Sequence, residues 1–168
     1  MLGEGDGRTL ARLVGAAPMT HFDVVELSPE MITLTRGRVG GCNRVKFYCQ
    51  DALIANRPAA QYDGIVTHFF LDCFDQEDAQ RLIQRLAGSL ASGGIWLISE
   101  FATPERGWRR LHAQVWIAIM YRFFRIATGL RATALPPIEK LMLEAGMRRV
   151  EQQKRRAGLI VTEVWRRG

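Results

Sequence analysis

Lysine is scarce in this chain, and its scarcity bears on what the positive charge means. Of the 23 basic residues among 168, only Lys46, Lys140 and Lys154 are lysine, and the formal net charge is +6. A basic protein can bind nucleic acid or an anionic membrane. The arginines, however, are scattered along the sequence rather than clustered. An arginine-rich composition explains the charge without either partner.

Cysteines and long apolar runs are also few. Cys42, Cys49 and Cys73 form no C-x-x-C pair, and no zinc-ligand spacing occurs, so we expect no disulfides, no metal site and three buried packing residues. The N-terminus lacks the basic-then-apolar pattern of a signal peptide. The longest wholly apolar stretch, 115–121, is well short of the ~18 residues of a membrane-spanning helix. These absences predict a reduced, cytoplasmic protein.

Short apolar runs alternate with longer amphipathic ones, which is typical of an α/β protein with a parallel sheet. We expect a single domain over residues 1–168. The predicted strands cover 22–26, 45–49, 64–68 and 95–99, and two further strand-like runs, 148–152 and 159–165, flank a turn at 156–158. The predicted helices cover 28–39, 76–90, 105–128 and 136–144.

A glycine-rich loop stands at the start of the chain. Gly3, Gly5 and Gly7 alternate with other residues, and a helix-compatible run follows at once. Glycines at alternate positions let the backbone turn tightly and approach a ligand closely. Glu26 ends the next strand, roughly 20 residues later, where an acid is placed to accept hydrogen bonds from both hydroxyls of a ribose. Together they predict a nucleotide-type site.

The loop differs from the dinucleotide fingerprint G-x-G-x-x-G. That fingerprint would place its third glycine at position 8, which is Arg8. Glu4 and Asp6 would also repel a pyrophosphate. A cationic or zwitterionic ligand tolerates these acids, so the loop favours a sulfonium cofactor over a nicotinamide dinucleotide.

The chain resembles the class I S-adenosylmethionine-dependent methyltransferases over nearly its whole length. The loop at 2–7 is similar to the family's first motif, and 25–31 is similar to its ribose-binding segment. The segments 47–52, 62–68 and 90–98 are similar to the adenine-contacting segment, the fourth strand and the L-x-x-G-G segment, in the family's order.

This resemblance implies a cofactor site for S-adenosylmethionine. The glycine loop, including Glu4, would lie against the methionine part, and Glu26 would bind the ribose. The remaining implied contacts are Leu27 and Met31 on the adenine, Asp51 and the Ala52 N–H at the edge of that ring, and His68 and Phe69 over the sulfonium. The implied reaction is in-line transfer of the methyl group to a nucleophile.

Several of these residues have a second interpretation. Asp51 can cap a helix after its strand instead of binding adenine. His68 can be a general base or a packing residue. Asp72 is the other catalytic candidate, and Glu100, which follows the carboxyl end of a strand, His112 and Tyr121 are weaker ones. No metal ligands are implied.

The resemblance also implies a Rossmann-like, doubly wound, mainly parallel sheet with an antiparallel C-terminal strand. Its first strand would lie centrally, between those around Val24 and Ile65, yet only Met1 and Leu2 precede Gly3. The expectation is therefore that the first strand is missing or truncated and that the domain is N-terminally incomplete. A catalytically idle protein of this fold, acting as a binding partner, is the competing hypothesis.

The acceptor is less well indicated than the cofactor. The segment 108–130 is apolar and aromatic, which fits either an ordinary buried helix or a lid over a hydrophobic acceptor, loosely as in the ubiquinone and menaquinone methyltransferases. Its arginines, 109, 110, 122 and 125, suggest peripheral membrane contact. Residues 67–71 lack the polar-Pro-Pro-aromatic motif that clamps a base nitrogen, so no stable nucleic-acid complex is expected. The sequence leaves the oligomeric state open.

Overall fold

Parallel strands and intervening helices build the molecule. The computed structural model describes residues 1–55, 62–101 and 135–168, so the predicted helix over 105–128 lies outside the described residues. The helices in these ranges are α1 (Arg8–Ala16), α2 (Pro29–Arg38), α3 (Gln76–Ser89) and α4 (Ile138–Glu144). The strands are β1 (Phe22–Glu26), β2 (Val45–Cys49), β3 (Tyr62–His68), β4 (Leu90–Phe101), β5 (Met147–Arg155) and β6 (Ile160–Arg167).

The strands form a mixed, mainly parallel sheet in two parts. β1 pairs with β2 in parallel, and the other part has the order β3-β4-β6-β5. β3 and β4 are parallel, whereas β6 runs antiparallel to both of its neighbours. The predicted Rossmann-like α/β sheet with an antiparallel C-terminal strand is confirmed.

The first residues of the chain join the two parts of the sheet. Leu2 forms one parallel bridge with Val25 of β1 and another with Thr67 of β3. A small cleft of about 40 Å³ opens beside this junction, with Asp23 of β1 and Gly64 of β3 in its walls. The residues before the glycine loop thus occupy the central position that the resemblance implies for a first strand.

Both faces of the sheet are covered. Val25 belongs to the main hydrophobic cluster. Val24 is also buried but lies outside that cluster, because successive residues of a strand point to opposite faces. Burial on both sides is typical of a doubly wound sheet. The main cluster includes the inner side of α3, namely Ala79, Leu82, Ile83, Leu86 and Ala87.

The bulkiest part of the core lies where β4 and β6 pair. Trp96 and Trp165 are register partners, and both are 0% exposed. Each indole N–H has an acceptor, since Trp96 Nε1 donates to Thr67 Oγ1 at 3.0 Å and Trp165 Nε1 donates to Glu163 Oε2 at 2.8 Å. Buried indoles with paired N–H groups pack well without an unsatisfied donor.

Helix starts follow their sequence signals closely. Ser28 Oγ accepts from Met31 N–H at 3.2 Å, and Pro29 is the first residue of α2. Asp75 Oδ1 accepts from Asp78 N–H at 2.9 Å at the start of α3. Such caps satisfy donors that the first turn of a helix leaves unpaired. The predicted bounds of both helices agree with the structure to within one residue.

Two sequence expectations are wrong. The strand predicted over 95–99, after a turn at Gly93 and Gly94, starts earlier, because β4 begins at Leu90, directly after α3. The four residues between Leu90 and Ile95 form an irregularity in the ladder with β3. None of the three cysteines is buried, since one is exposed and two are half-buried, and all are free thiols.

Candidate functional site

Three left-handed glycines shape the loop before α1. Gly3, Gly5 and Gly7 have φ angles of 61°, 63° and 83°, a region that L side chains rarely adopt. A Cβ on Gly3 would lie 2.3 Å from the Phe70 ring, and one on Gly7 would lie 2.7 Å from the Thr35 side chain. A Cβ on Gly5 would meet no atom of the described residues within 4 Å. Gly3 and Gly7 therefore pack the loop against the fold, while Gly5 faces open space.

Glu26 lies beside Gly5 at the carboxyl end of β1. Its Oε2 accepts from Gly5 N–H at 3.3 Å, and its Oε1 accepts from the N–H groups of Leu27 at 2.9 Å and Ser28 at 3.1 Å. These backbone donors hold the half-buried carboxylate at the rim of the loop. The structure thus brings together the glycine and the acid that the sequence pairs. A carboxylate offers about four acceptor sites, so Glu26 retains capacity for a diol.

The acidic residues inside the loop support the loop itself. Glu4 Oε1 accepts from Leu10 N–H at 2.7 Å, which satisfies a donor in the first turn of α1. Burial raises the pKa of Glu4, and the bond from Leu10 opposes that rise. Asp6 pairs with Arg8 at 2.8 Å and Arg38 at 3.2 Å. The cofactor contact expected for Glu4 stays a prediction.

Apolar surface continues beyond Glu26. Leu27 is 67% exposed and Met31 is 37% exposed, which leaves both side chains available to a planar ring. Asp51 follows β2, and its Oδ1 accepts from Leu53 N–H at 2.8 Å, but the bond stabilises a turn at 52–54 and not the start of a helix. Ala52 is buried. The adenine contacts of these four residues stay predictions.

The carboxyl end of β3 lies against the glycine loop. His68 ends the strand, and its Nε2 is buried without a hydrogen-bond partner among the described residues. Burial lowers the pKa of His68, so the imidazole is neutral at pH 7. Phe69 follows with φ of 49°, and its ring packs against that of Phe101 with the centroids 4.7 Å apart and the planes tilted by 40°. A left-handed aromatic residue is a strained one, and such strain is often found at ligand sites.

Two buried carboxyl groups lie next to this segment. Asp72 is 5% exposed and Glu100 is 6% exposed. Glu100 Oε1 accepts from the N–H groups of Phe70 at 3.2 Å and Leu71 at 2.9 Å. The structure therefore ties the end of β4 to the segment after β3. From the sequence, Glu100 could be placed only after a predicted strand. The structure shows that it also holds the backbone of Phe70 and Leu71.

Two contacts around the loop leave no signal in the sequence. Thr35 of α2 is buried, and its Oγ1 donates to Gly5 O at 2.9 Å. The Phe70 ring lies under Gly3. A single threonine in a helix or phenylalanine in an apolar run has no distinguishing spacing, so neither could have been found by pattern alone.

Comparison with known proteins identifies the family. Residues 1–94 match the family model described as a methyltransferase domain, which is more than half of the chain. No curated protein sequence matches.

Several solved structures share the fold at low identity. An N-methyltransferase, NodS, from Bradyrhizobium japonicum WM9 in complex with S-adenosyl-L-homocysteine is 19% identical with a TM-score of 0.71, covering 99% of this chain and 75% of that one. An O-methyltransferase family protein from Burkholderia thailandensis is 21% identical with a TM-score of 0.75, covering 99% and 49%. An O-methyltransferase family 2 protein from Planctomyces limnophilus DSM 3776 in complex with apigenin is 14% identical with a TM-score of 0.74, covering 99% and 48%. The chain spans about half the length of the last two proteins.

Proposed function

The chain belongs to the methyltransferase-domain family, and we propose that it transfers a methyl group from S-adenosylmethionine to a small, apolar acceptor. The observation that carries the proposal is the open side of Gly5 beside the Glu26 carboxylate, at the carboxyl end of β1. Ligands of open α/β sheets bind at this edge. A structural neighbour of the same fold holds S-adenosyl-L-homocysteine, which supports this cofactor.

The residues present fit the cofactor. When bound, S-adenosylmethionine supplies a methyl carbon made electrophilic by its sulfonium. The Glu26 carboxylate would accept hydrogen bonds from the ribose hydroxyls, and the side chains of Leu27 and Met31, which are exposed, would cover the adenine. The backbone around Gly5 has room for the methionine part, because no described side chain fills that side of the loop. Glu4 has no ion pair among the described residues, so its carboxyl group suits a cation, whereas the charge of Asp6 is compensated by Arg8 and Arg38.

His68 and Asp72 are the catalytic candidates on the acceptor side. His68 is neutral, so the imidazole can accept a proton or a hydrogen bond from the acceptor's nucleophile. Asp72 provides a buried carboxyl group in the segment next to it. The main contribution of His68 and Asp72 is to hold the acceptor's nucleophile in line with the methyl carbon. This alignment and the exclusion of water lower the barrier to methyl transfer.

A small apolar acceptor is the substrate class we propose. The O-methyltransferase family 2 structure of similar fold holds apigenin, and the exposed Phe69 ring offers a matching aromatic surface here.

The same proposal includes a quinone-type acceptor, peripheral membrane contact through the arginines of 108–130 and a cytoplasmic location. Those arginines lie outside the described residues, and no stable nucleic-acid complex is part of the proposal. Within 1–55, 62–101 and 135–168, no helix has the length and apolar character needed to cross a membrane.

Calorimetric titration with S-adenosylmethionine and S-adenosylhomocysteine tests the cofactor site. We expect micromolar affinity in the wild type and a loss of about 100-fold in Glu26→Ala, because each hydrogen bond to a charged group contributes about 1.5–3 kcal/mol. The matched control is Glu30→Ala. Glu30 is an exposed acid in the first turn of α2 whose Oε2 accepts from Ser28 Oγ at 2.7 Å, so its loss should leave both affinities unchanged.

Two results would contradict the proposal. A wild-type protein that binds neither ligand has no cofactor site of this kind. Equal affinities of Glu26→Ala and the wild type would place the cofactor away from β1. Circular dichroism of each variant separates loss of binding from loss of fold.

A further inference from the structure

A threonine of α2 holds the carbonyl group of the open glycine in the loop. Thr35 Oγ1 donates to Gly5 O at 2.9 Å, and Thr35 is only 1% exposed. A hydrogen bond shielded from water in this way is stronger than an exposed one. The Gly5 N–H is also bound, since it donates to Glu26 Oε2 at 3.3 Å. Side chains from two other elements therefore fix both backbone polar groups of Gly5.

A second threonine of the same helix shows what is unusual about Thr35. Thr33 Oγ1 donates at 2.9 Å to Pro29 O, four residues back in α2, which is a common partner for a threonine inside a helix. Thr33 is exposed, whereas Thr35 is buried. The hydroxyl of Thr35 binds a carbonyl that lies 30 residues away in the sequence. Thr35 thus joins α2 to the loop, and Thr33 bonds only within its own helix.

Arg38 binds the next residue of the loop from the same side of α2. Its Nε donates to Asp6 O at 2.8 Å, and its guanidinium pairs with the Asp6 carboxylate at 3.2 Å. Residues three apart in a helix are neighbours on its surface, so Thr35 and Arg38 hold two consecutive carbonyl oxygens of the loop. The Arg38 side chain is 41% exposed, and exposed ion pairs contribute little. Thr35 is therefore the stronger of the two anchors.

The glycine loop depends on such anchors because glycine has the freest backbone. Gly5 has φ of 63°, and a Cβ on it would meet no described atom within 4 Å, so side-chain packing does not restrict it. A loop that is ordered only when a ligand binds costs affinity. The peptide group after Gly5 is planar and trans. With its oxygen directed at α2, the Asp6 N–H of the same peptide group points away from α2.

We propose that Thr35 is a positioning residue, which acts through Gly5 to hold the glycine loop in the conformation that binds the methionine part of the cofactor. Thr35 itself contacts the loop and not the cofactor. Glu26 keeps two other backbone donors, the N–H groups of Leu27 and Ser28, so the adenosine end of the site does not depend on Thr35. This inference rests on the proposed function, since it assigns a role within the same site.

Two ligands that differ in their amino-acid part test this role. S-adenosylhomocysteine has that part, and 5′-methylthioadenosine lacks it but keeps the adenosine. Valine has nearly the shape of threonine without the hydroxyl. In calorimetric titrations, we expect Thr35→Val to lower the affinity for S-adenosylhomocysteine by about tenfold, or about 1.4 kcal/mol, which is the size of one hydrogen bond. The affinity for 5′-methylthioadenosine should not change.

The same helix provides the matched control. Thr33→Val is the identical substitution at an exposed position, and it should leave both affinities unchanged. Thr35→Ser keeps the hydroxyl and should restore the wild-type ratio of the two affinities. Thr35→Ala removes the hydroxyl without placing a methyl group against Gly5 O, and it should show the same selective loss as Thr35→Val. The test therefore does not depend on the folding of one variant, and circular dichroism checks each of them.

Hydrogen exchange followed by NMR examines the loop without any ligand. Losing the bond to Gly5 O frees this residue, so its N–H should exchange faster in Thr35→Val, by up to about tenfold. Thr33→Val should leave the exchange of Gly5 unchanged, and the amides of α2 should keep their protection in both variants. Unchanged exchange of Gly5 in Thr35→Val would show that the hydroxyl does not hold the loop.

The outcomes separate this inference from the proposed function. Equal loss of both ligands in Thr35→Val would mean a general disturbance of the site and would overturn the positioning role. An unchanged affinity for S-adenosylhomocysteine, or no recovery in Thr35→Ser, would overturn it too. All three results leave the cofactor site of the wild type intact. Failure of the wild type to bind S-adenosylhomocysteine overturns the proposed function and this role with it, and hydrogen exchange then still decides whether Thr35 holds the loop.

Discussion

The two parts of the sheet are held in place in different ways. In the part formed by β3 to β6, which we call the apolar part, the bulkiest buried side chains are the paired Trp96 and Trp165. Around β1 and β2, which we call the polar part, the buried apolar side chains are smaller, such as Val24, and polar contacts hold the loops. Arg44 is the main one, since its guanidinium donates to three backbone carbonyl oxygens, those of Val14, Ala17 and Thr20.

This difference matters because the candidate site draws on both parts. Gly5 and Glu26 belong to the polar part, and Asp72 and Glu100 belong to the apolar one. Elements that move to admit a ligand usually come from the less stable regions of a fold. A ligand that contacts both parts would stabilise the folded state by its binding free energy. We interpret the apolar part as a frame and the glycine-loop part as the side that adjusts.

Replacing Trp96 with alanine should give the largest effect. The change leaves a cavity at the centre of the apolar part and removes the donor to Thr67 Oγ1, so we expect the free energy of unfolding to fall by about 3–5 kcal/mol. Denaturant titration measures it. Ile95→Ala is the control, because the neighbouring Ile95 is exposed, and it should cost less than about 1 kcal/mol. Equal losses in both variants would mean that β4 is not the centre of the core.

Replacing Arg44 with alanine should weaken mainly the polar part. Three carbonyl groups lose a charged donor, and we expect a loss of about 1–3 kcal/mol. Hydrogen exchange should show faster exchange in α1 and β1 and unchanged protection in β4 and β6. Arg12→Ala, an exposed arginine of α1, is the control and should change neither. Equal loss of protection in β4 would show that the two parts open together.

The sequence predicts those parts of the fold that depend on local signals. Ser28 and Asp75 each cap the helix that follows, and such caps act within one turn, so a short pattern is enough to find them. The early start of β4 at Leu90 could not be predicted, because its pairing with Tyr62 joins residues far apart in the sequence. Gly93 indicates a turn in the sequence, but in the structure it lies in the irregular part of the pairing between β3 and β4.

The contacts of the candidate site also differ in whether the sequence predicts them. The glycine loop and Glu26 could be paired from the sequence because their spacing is a known pattern, and the structure joins them through the hydrogen bond from Gly5 N–H to Glu26. The contact of Glu100 with Phe70 could not, because it uses a backbone N–H, which every residue but proline has. Side chains that bind backbone groups across the fold leave no spacing to recognise.

The smallest expected effect concerns Glu4. Burial raises its pKa from the ordinary 4.5, so the folded state binds this proton more tightly than the unfolded chain does. The stability that this group contributes is present below pH 4.5 and is lost as the pH rises through the pKa of Glu4 in the folded state.

A glutamine at position 4 can still accept from Leu10 N–H but carries no charge. Glu4→Gln should therefore be more stable than the wild type at pH 7, by under about 1 kcal/mol, and the difference should shrink towards pH 4. Thermal unfolding at both pH values measures it. Asp6→Asn, which loses ion pairs with Arg8 and Arg38, should show no such gain, and an equal gain would point to net charge rather than burial.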